Sequence, residues 1–211
     1  MRFRKIDVDG DPNIGLRGFA TDEYAIFGRE IPEAEILQVE IHLIKIAQTE
    51  LAGIFAAGNS NGIILPYLIE REELEEIKKL GLNFAVLKTK ETLMGNLVLC
   101  NDKGAVISPL LKRWKREIES TLNCEVEVGK IANLSIPGAC GIATNKGCLL
   151  HREAREEEIN LVKEVLKVKV SIGSVGGSPF VKSGIIANSN AVLVGENATG
   201  PELERIMEVL G

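Results

Sequence analysis

The sequence predicts a mixed α/β fold: a closed five-bladed α/β propeller with pseudo-five-fold symmetry, its ring closed by the N-terminal strand. Three observations carry this. A four-residue turn between two short apolar runs recurs five times along the chain. The copies are spaced by roughly a fifth of the 211 residues. The last copy lacks the strand that ends the other four, and a spare strand precedes the first.

The turn is clearest in Asn59-Ser60-Asn61-Gly62, Asn101-Asp102-Lys103-Gly104 and Thr144-Asn145-Lys146-Gly147. Runs such as Gly53 to Ala57 and Ile63 to Pro66 flank it on either side. A fourth copy, Gly184 to Val194, has Ala191 in place of the turn glycine, and Ile14 to Phe27 keeps the pattern more loosely. The fourth turn residues stand at positions 24, 62, 104, 147 and 191. Asn or Thr at the first position and Gly at the fourth predict a type I turn closed by a left-handed glycine, the three-residue hairpin loop with a G1 bulge.

Each hairpin leads to a helix. Glu70 to Leu80 opens with acids, closes with lysines and stops at Gly81, as the helix dipole favours. Pro109 opens a helix with an apolar stripe of Leu110, Leu111, Trp114, Ile118 and Leu122, and Glu153 to Leu166 places Ile159, Val162, Val165 and Leu166 on one face. Gly200-Pro201 begins the last helix, and Pro32 opens a short one running to about Val39. Strands follow four of the five: Ile41 to Ala47, Asn83 to Lys88, Cys124 to Val128 and Val168 to Ile172.

The fifth helix ends at Gly211, whereas Arg4 to Val8 reads as a strand with no partner of its own. Pairing the two ends closes the circle and removes an exposed edge. The chain then forms one domain of five repeats, at about 13–50, 51–91, 92–133, 134–179 and 180–211, the last closed by 3–10. An open solenoid would need polar capping units, which neither end resembles.

The composition narrows the function classes. Hydrophobic residues at 45% exclude disorder, and no apolar run approaches the ~18 residues of a membrane helix. A net charge of −5 argues against a general nucleic-acid binder. The first residues lack the apolar segment of a secretory signal, so a cytoplasmic protein with reduced thiols is expected. Cys100, Cys124, Cys140 and Cys148 match no metal-ligand spacing, and no metal or cofactor is expected.

Candidate catalytic groups are few. His151 reads as a surface histidine or one at the start of a helix, and His42 as an edge or packing residue. Gly173 to Pro179 lacks the lysine and following helix of a phosphate loop and reads as a connector between blades. The acidic run Glu153 to Glu158 reads as a solvated helix face. The basic cluster Lys112 to Arg116 places Trp114 on the buried stripe, unlike a stacking platform for RNA. No catalytic site is expected.

Together, Asn13-Ile14-Gly15, Gly58 to Gly62, Gly95-Asn96, Cys100-Asn101-Asp102, Asn145-Lys146-Gly147 and Gly184 to Gly195 resemble the translation initiation factor 6 family. The resemblance runs from about residue 3 to residue 210. It implies the pentein fold, in agreement with the repeat spacing. It also implies a ribosome anti-association factor that binds the large subunit and sterically blocks joining of the small one, with a part in large-subunit biogenesis. The implied partners are chiefly an L14-type ribosomal protein, with an L24e-type protein and the sarcin–ricin loop nearby, the factor itself being a monomer. The implied contact loops are Leu93-Met94-Gly95-Asn96, with Gly53-Ile54, Ala139-Cys140 and Lys182-Ser183 around the rim. Asn96 is the principal candidate. The chain ends after its last helix, without the long tail of eukaryotic members, which fits an archaeal-type factor. The alternatives are an enzyme that modifies guanidino groups on the same fold, whose nucleophile would sit in the fifth unit where no cysteine stands, or a scaffold with another protein partner.

Overall fold

The computed structural model describes residues 1–211 and contains five three-stranded sheets; in four of them a helix joins the second strand to the third, and in the fifth a helix follows the second strand. Strand β1 (Arg2–Ile6) stands apart at the start. The first unit runs through a 3-10 turn at Ile14–Leu16, β2 (Gly18–Ala20), β3 (Tyr24–Phe27), a 3-10 helix at Pro32–Leu37 and β4 (Glu40–Leu43). The second has α1 (Ala52–Phe55), β5 (Ala57–Asn59), β6 (Gly62–Pro66), α2 (Arg71–Lys79) and β7 (Asn83–Leu87). In the third, α3 (Met94–Leu97), β8 (Val98–Cys100) and β9 (Gly104–Ile107) precede a 3-10 helix at Pro109–Trp114, α4 (Lys115–Leu122) and β10 (Glu125–Val128). The fourth comprises α5 (Pro137–Cys140), β11 (Gly141–Ala143), β12 (Gly147–His151), α6 (Glu156–Leu166) and β13 (Lys169–Gly173). The fifth has a 3-10 turn at Val181–Gly184, β14 (Ile185–Ala187), β15 (Ala191–Gly195) and α7 (Gly200–Leu210).

In every sheet the middle strand pairs antiparallel with the inner strand and parallel with the outer one. The fifth sheet takes its outer strand from the other end of the chain: β1 lies parallel to β15, from Arg2 opposite Ala191 to Ile6 opposite Gly195. Inner strands touch in the order β2, β5, β8, β11, β14 and back to β2. The middle strands are buried throughout, as strands covered on both faces must be.

Apolar packing explains why the units hold together. Five clusters form, and each draws on two consecutive units: Ile26 with Ile63, Ile64 with Ile107, Val106 with Leu150, Leu149 with Leu193's neighbour Val192, and Leu193 with Phe27. No unit has a core of its own.

The turns depart from expectation. Gly62, Gly104 and Gly147 are not left-handed, and the loops hold two residues, with no G1 bulge. The turn is closed instead by its first side chain: Asn101 Oδ1 accepts from the Lys103 and Gly104 N–H groups at 2.9 and 3.0 Å. Asn59, Thr144 and Asn188 do the same in their turns. Glycine is required for space: a Cβ at 62, 104 or 147 would overlap the Thr121, Val165 or Val209 carbonyl oxygen of the next unit's helix.

The helices also differ in detail. The first unit's helix is wholly 3-10, the third begins as 3-10 from Pro109, and Leu110 points to solvent. The acidic run from Glu153 is more than a solvated face. Glu158 is buried; it accepts the Arg155 N–H of its own helix start and the N–H groups of Ala132 and Asn133, both left-handed residues of the preceding connector. Glu73 repeats this with Ala47 and Gln48, and Glu202 with Gly176 and Gly177. One carboxylate thus caps a helix and fixes the turn ahead of it.

This arrangement makes stability depend on acid. Burial pushes the Glu202 carboxyl up, but N–H groups of Thr199 and Gly177 and the hydroxyls of Ser174 and Thr199 outweigh it and hold the group at about 2. A depressed carboxyl contributes stability above its ordinary value near 4.5 and loses it as pH falls towards 2. Urea unfolding of wild type and Glu202→Gln is therefore expected to differ by a constant amount above pH 5, with the gap closing between pH 4.5 and 2. A gap independent of pH would contradict this origin.

Candidate docking face

Because each inner strand starts where its middle strand ends, the short helical segments all lie at one end of the molecule and the hairpin turns at the other. The segment Ile14–Leu16 packs on α1, α1 on α3, α3 on α5, α5 on Val181–Gly184, and that segment on Ile14–Leu16 again. Such close approach needs glycine. At Gly15, Gly53, Gly95 and Gly138 a Cβ would overlap the carbonyl oxygens of Lys182, Gly15, Gly53 and Gly95 respectively.

The fifth equivalent position is Lys182. Its side chain reaches from the fifth unit to the third, and Nζ donates to the Gly95 carbonyl at 3.0 Å. Burial pulls its ammonium down to about 8. The side chain lines both an outer depression among the short helices and the chamber above it. Repeat equivalence put Lys182 on the rim, but it gives no hint of where the side chain goes.

The expected contact residues divide by accessibility. Gly53, Met94, Gly95 and Cys140 are buried, and Met94 belongs to the core between the second and third units. Leu93 is exposed, while Ile54, Asn96, Ala139, Lys182 and Ser183 are half-buried around the depression. Exposed apolar side chains gather at this same end: Leu43, Tyr67, Leu68, Leu93, Leu110, Ile172 and Phe180. Sequence reading missed most of these, since isolated apolar residues after strand ends carry no periodic signal. Tyr67 lines a shallow groove with Lys88, Thr89 and Lys90.

At the opposite end the turns form a polar rosette. Asp22 accepts from Ser189 and Asn145, and Asp102 accepts from Ser60 and Asn145. Between the two ends the chamber is lined by small residues at equivalent positions, Ala20, Gly58, Cys100, Ala143 and Ala187. Cys100 Sγ donates to the Gly58 carbonyl at 3.2 Å. Burial pushes the thiols of Cys100, Cys124 and Cys140 up to about 12 and raises that of Cys148, so all four are protonated at neutral pH. All four are free, and none of the His, Cys, Asp and Glu side chains form a cluster of three or more able to hold a metal.

His151 is buried rather than on the surface. Its Nδ1 accepts the Glu153 N–H at 3.1 Å and its ring meets Phe180 edge-on at 5.4 Å. His42 lies half-buried on the edge strand β4. Trp114 packs against the core with Arg113 over its ring at 4.8 Å. No helix is long and apolar enough to cross a membrane.

The profile of the eIF-6 family matches residues 3–209. Among curated proteins, translation initiation factor 6 of Staphylothermus marinus is 39% identical over 98% of this chain and 96% of its own length. The proteins of the same name from Pyrococcus horikoshii and Methanocaldococcus jannaschii are 37% and 38% identical over 100% of the chain, and 99% and 98% of their own lengths.

Proposed function

The chain belongs to the eIF-6 family, and from that premise we propose that it is a translation initiation factor that binds the large ribosomal subunit and blocks its joining with the small one. The observation that supports this best is the short-helix face, where exposed Phe180 and half-buried Ile54 and Asn96 line a depression and exposed Leu93 precedes α3. A depression lined mainly by apolar groups, with Lys182 its one charged residue, suits a protein partner, and an L14-type ribosomal protein is the proposed principal contact. The L24e-type protein and the sarcin–ricin loop then lie beside it. Leu93, Ile54, Asn96, Lys182 and Ser183 are the proposed contact residues. Gly53, Gly95 and Met94 act beneath them by holding the short helices together.

The reading further takes the five sheets as one domain, a closed five-bladed propeller acting as a monomer. The return contact of β14 on β2 and the pairing of β1 with β15 support closure. The mechanism is steric: factor and small subunit compete for one surface, with no reaction and no cofactor. Such a factor works in the cytoplasm, where it also accompanies large-subunit biogenesis.

Sucrose-gradient sedimentation with isolated subunits tests this directly. The protein is expected to migrate with the large subunit only and to suppress formation of joined ribosomes. Asn96→Arg, whose side chain fills the depression, is expected to weaken that binding at least tenfold with an unchanged melting curve. Migration with neither subunit would defeat the reading. Full binding by the folded Asn96→Arg variant would move the contact to another face.

A further inference from the structure

The junction between the second and third units breaks the repeat in two ways that the docking reading does not use. In four of the five connectors a two-residue turn closes a short antiparallel bridge, at Val8–Asp11, Ile46–Thr49, Ile131–Leu134 and Val175–Ser178. The connector after β7, Lys88-Thr89-Lys90-Glu91-Thr92, has no such bridge. The helices of the other four units open with acids, at Glu33 and Glu35, Glu72 and Glu73, Glu156 to Glu158, and Glu202. The third unit's helix opens at Pro109 with none, and Lys112, Arg113, Lys115 and Arg116 follow. Cations there oppose the helix dipole, so the stability of the helix does not account for them.

The fold brings the two segments together. β7, parallel to β6, ends at the short-helix face, and the 3-10 helix leaves β9 at that same face. The Thr89 hydroxyl foremost, then Lys90 and Arg113, holds the Glu91 carboxyl below its ordinary value, which sets Arg113 beside the connector. Residues 88–91 and 112–116 carry six of the chain's 25 lysines and arginines and one of its 30 carboxylates. Of the six, Lys115 is paired, to Glu127 at 2.9 Å. Lys88, Lys90, Lys112, Arg113 and Arg116 are exposed and take part in none of the ten ion pairs. An aromatic ring completes the ledge. Tyr67, 51% exposed just after β6, lines with Lys88, Thr89 and Lys90 an open groove of about 540 Å³. The Trp114 ring, by contrast, is packed on the core beneath Arg113.

We propose that this ledge binds RNA: the phosphodiester backbone of a single-stranded or looped segment runs across Lys88, Lys90, Lys112, Arg113 and Arg116, and one unpaired base stacks on Tyr67. The proposal rests on the docking reading above and adds to it a contact with the RNA of the large subunit. Exposed, unpaired cations spread over a ledge follow a chain of phosphates and release the counter-ions condensed on it. A tyrosine face beside them takes any base, and gives affinity without a sequence code. Tyr67 is the one hydrophobic residue of the groove, which suits a base whose edges stay hydrated better than an apolar protein side chain. Acids predominate over the rest of the chain, so the field directs RNA to this one place.

Binding of the full chain to isolated large subunits, measured over a range of potassium chloride concentrations, tests this. A variant combining Lys88→Gln, Lys90→Gln, Lys112→Gln and Arg116→Gln is expected to lower the slope of log affinity on log salt by about 2–3. Its affinity at low salt is expected to fall at least tenfold. Tyr67→Ala is expected to weaken binding about fivefold or more with the slope unchanged, and Tyr67→Phe to retain it, since the stacking ring survives. All the replaced side chains are exposed, so unchanged melting curves are expected. With p-benzoylphenylalanine in place of Tyr67, irradiation of the complex is expected to join the chain to RNA. Wild-type affinity in the charge variant or in Tyr67→Ala would overturn the proposal and leave the docking reading standing. An adduct with a ribosomal protein alone would assign the ledge to an acidic protein segment, and so would also overturn it. Failure of the wild-type protein to bind the large subunit would instead remove the docking reading itself.

Discussion

Gly147→Ala is expected to lower the melting temperature by roughly 6–12 °C, from a loss of about 3 kcal/mol at 2–4 °C per kcal/mol for a chain of this size. An ideal Cβ at 147 falls far inside 3.0 Å of the Val209 carbonyl oxygen. That oxygen is main chain of α7, so no side-chain rotation relieves the overlap. The last turn of α7 must move away, and with it Val209 and Leu210, which are buried in the cluster between the fourth and fifth units. The Thr144 Oγ1 bond to the Leu210 carbonyl, already long at 3.4 Å, is lost with it. Gly200→Ala is the control. Nothing lies within 4 Å of a Cβ there and its φ is not left-handed, so a change within about 0.5 kcal/mol is expected. Equal melting curves for the two variants would mean that α7 yields without cost.

The same glycine shows how far the sequence could be read. Its recurrence at 62, 104 and 147 located the hairpins, and the spacing located the units and the partner of β1, because these follow from local alternation and repeat length. Its physical role was misread. A Gly after Asn-x-x looks like a left-handed turn residue when only its own hairpin is considered. The actual constraint comes from a helix in the next unit, some 60 residues away in the chain. Glu158 was misjudged for the same reason, since the connector N–H groups that bury it are 25 and 26 positions distant. For the candidate site, repeat equivalence grouped Leu93 to Asn96 with Gly53-Ile54, Ala139-Cys140 and Lys182-Ser183, but as connectors and strand starts; that these segments form single helical turns was not legible. The division between buried Met94 and exposed Leu93 was not, because neighbours on a single helical turn separate only when the adjacent units are in place.

Replacing the first residue of the third turn is expected to have the largest effect of any single polar substitution. Asn101 is buried and uses its whole side chain. Its Oδ1 closes its own turn, while Nδ2 donates to the Thr144 carbonyl of the next turn at 3.1 Å and to the Leu166 carbonyl at the end of α6 at 3.0 Å. One amide therefore satisfies two N–H groups of its own unit and two carbonyls of the next. Asn101→Ala leaves four main-chain groups without partners, at ~1–3 kcal/mol each where water cannot reach them. A partly buried turn recovers some of this, so a loss of about 4 kcal/mol is expected from urea unfolding at pH 7. Thr144→Ala should lose less than half as much, since the Thr144 hydroxyl makes a single long bond to the next unit. Asn101→Asp separates hydrogen bonding from shape. It fills the same volume but faces two carbonyl oxygens with a negatively charged one, so it should be at least as unstable as Asn101→Ala at pH 7. Facing two carbonyl oxygens raises that carboxyl in the folded state, so protonation restores one donor and the deficit relative to wild type should shrink as pH falls from 7 towards about 4 and stay level below it. A deficit in Asn101→Asp that stays constant with pH, or an Asn101→Ala within 1 kcal/mol of wild type, would show that the units are joined by apolar packing alone.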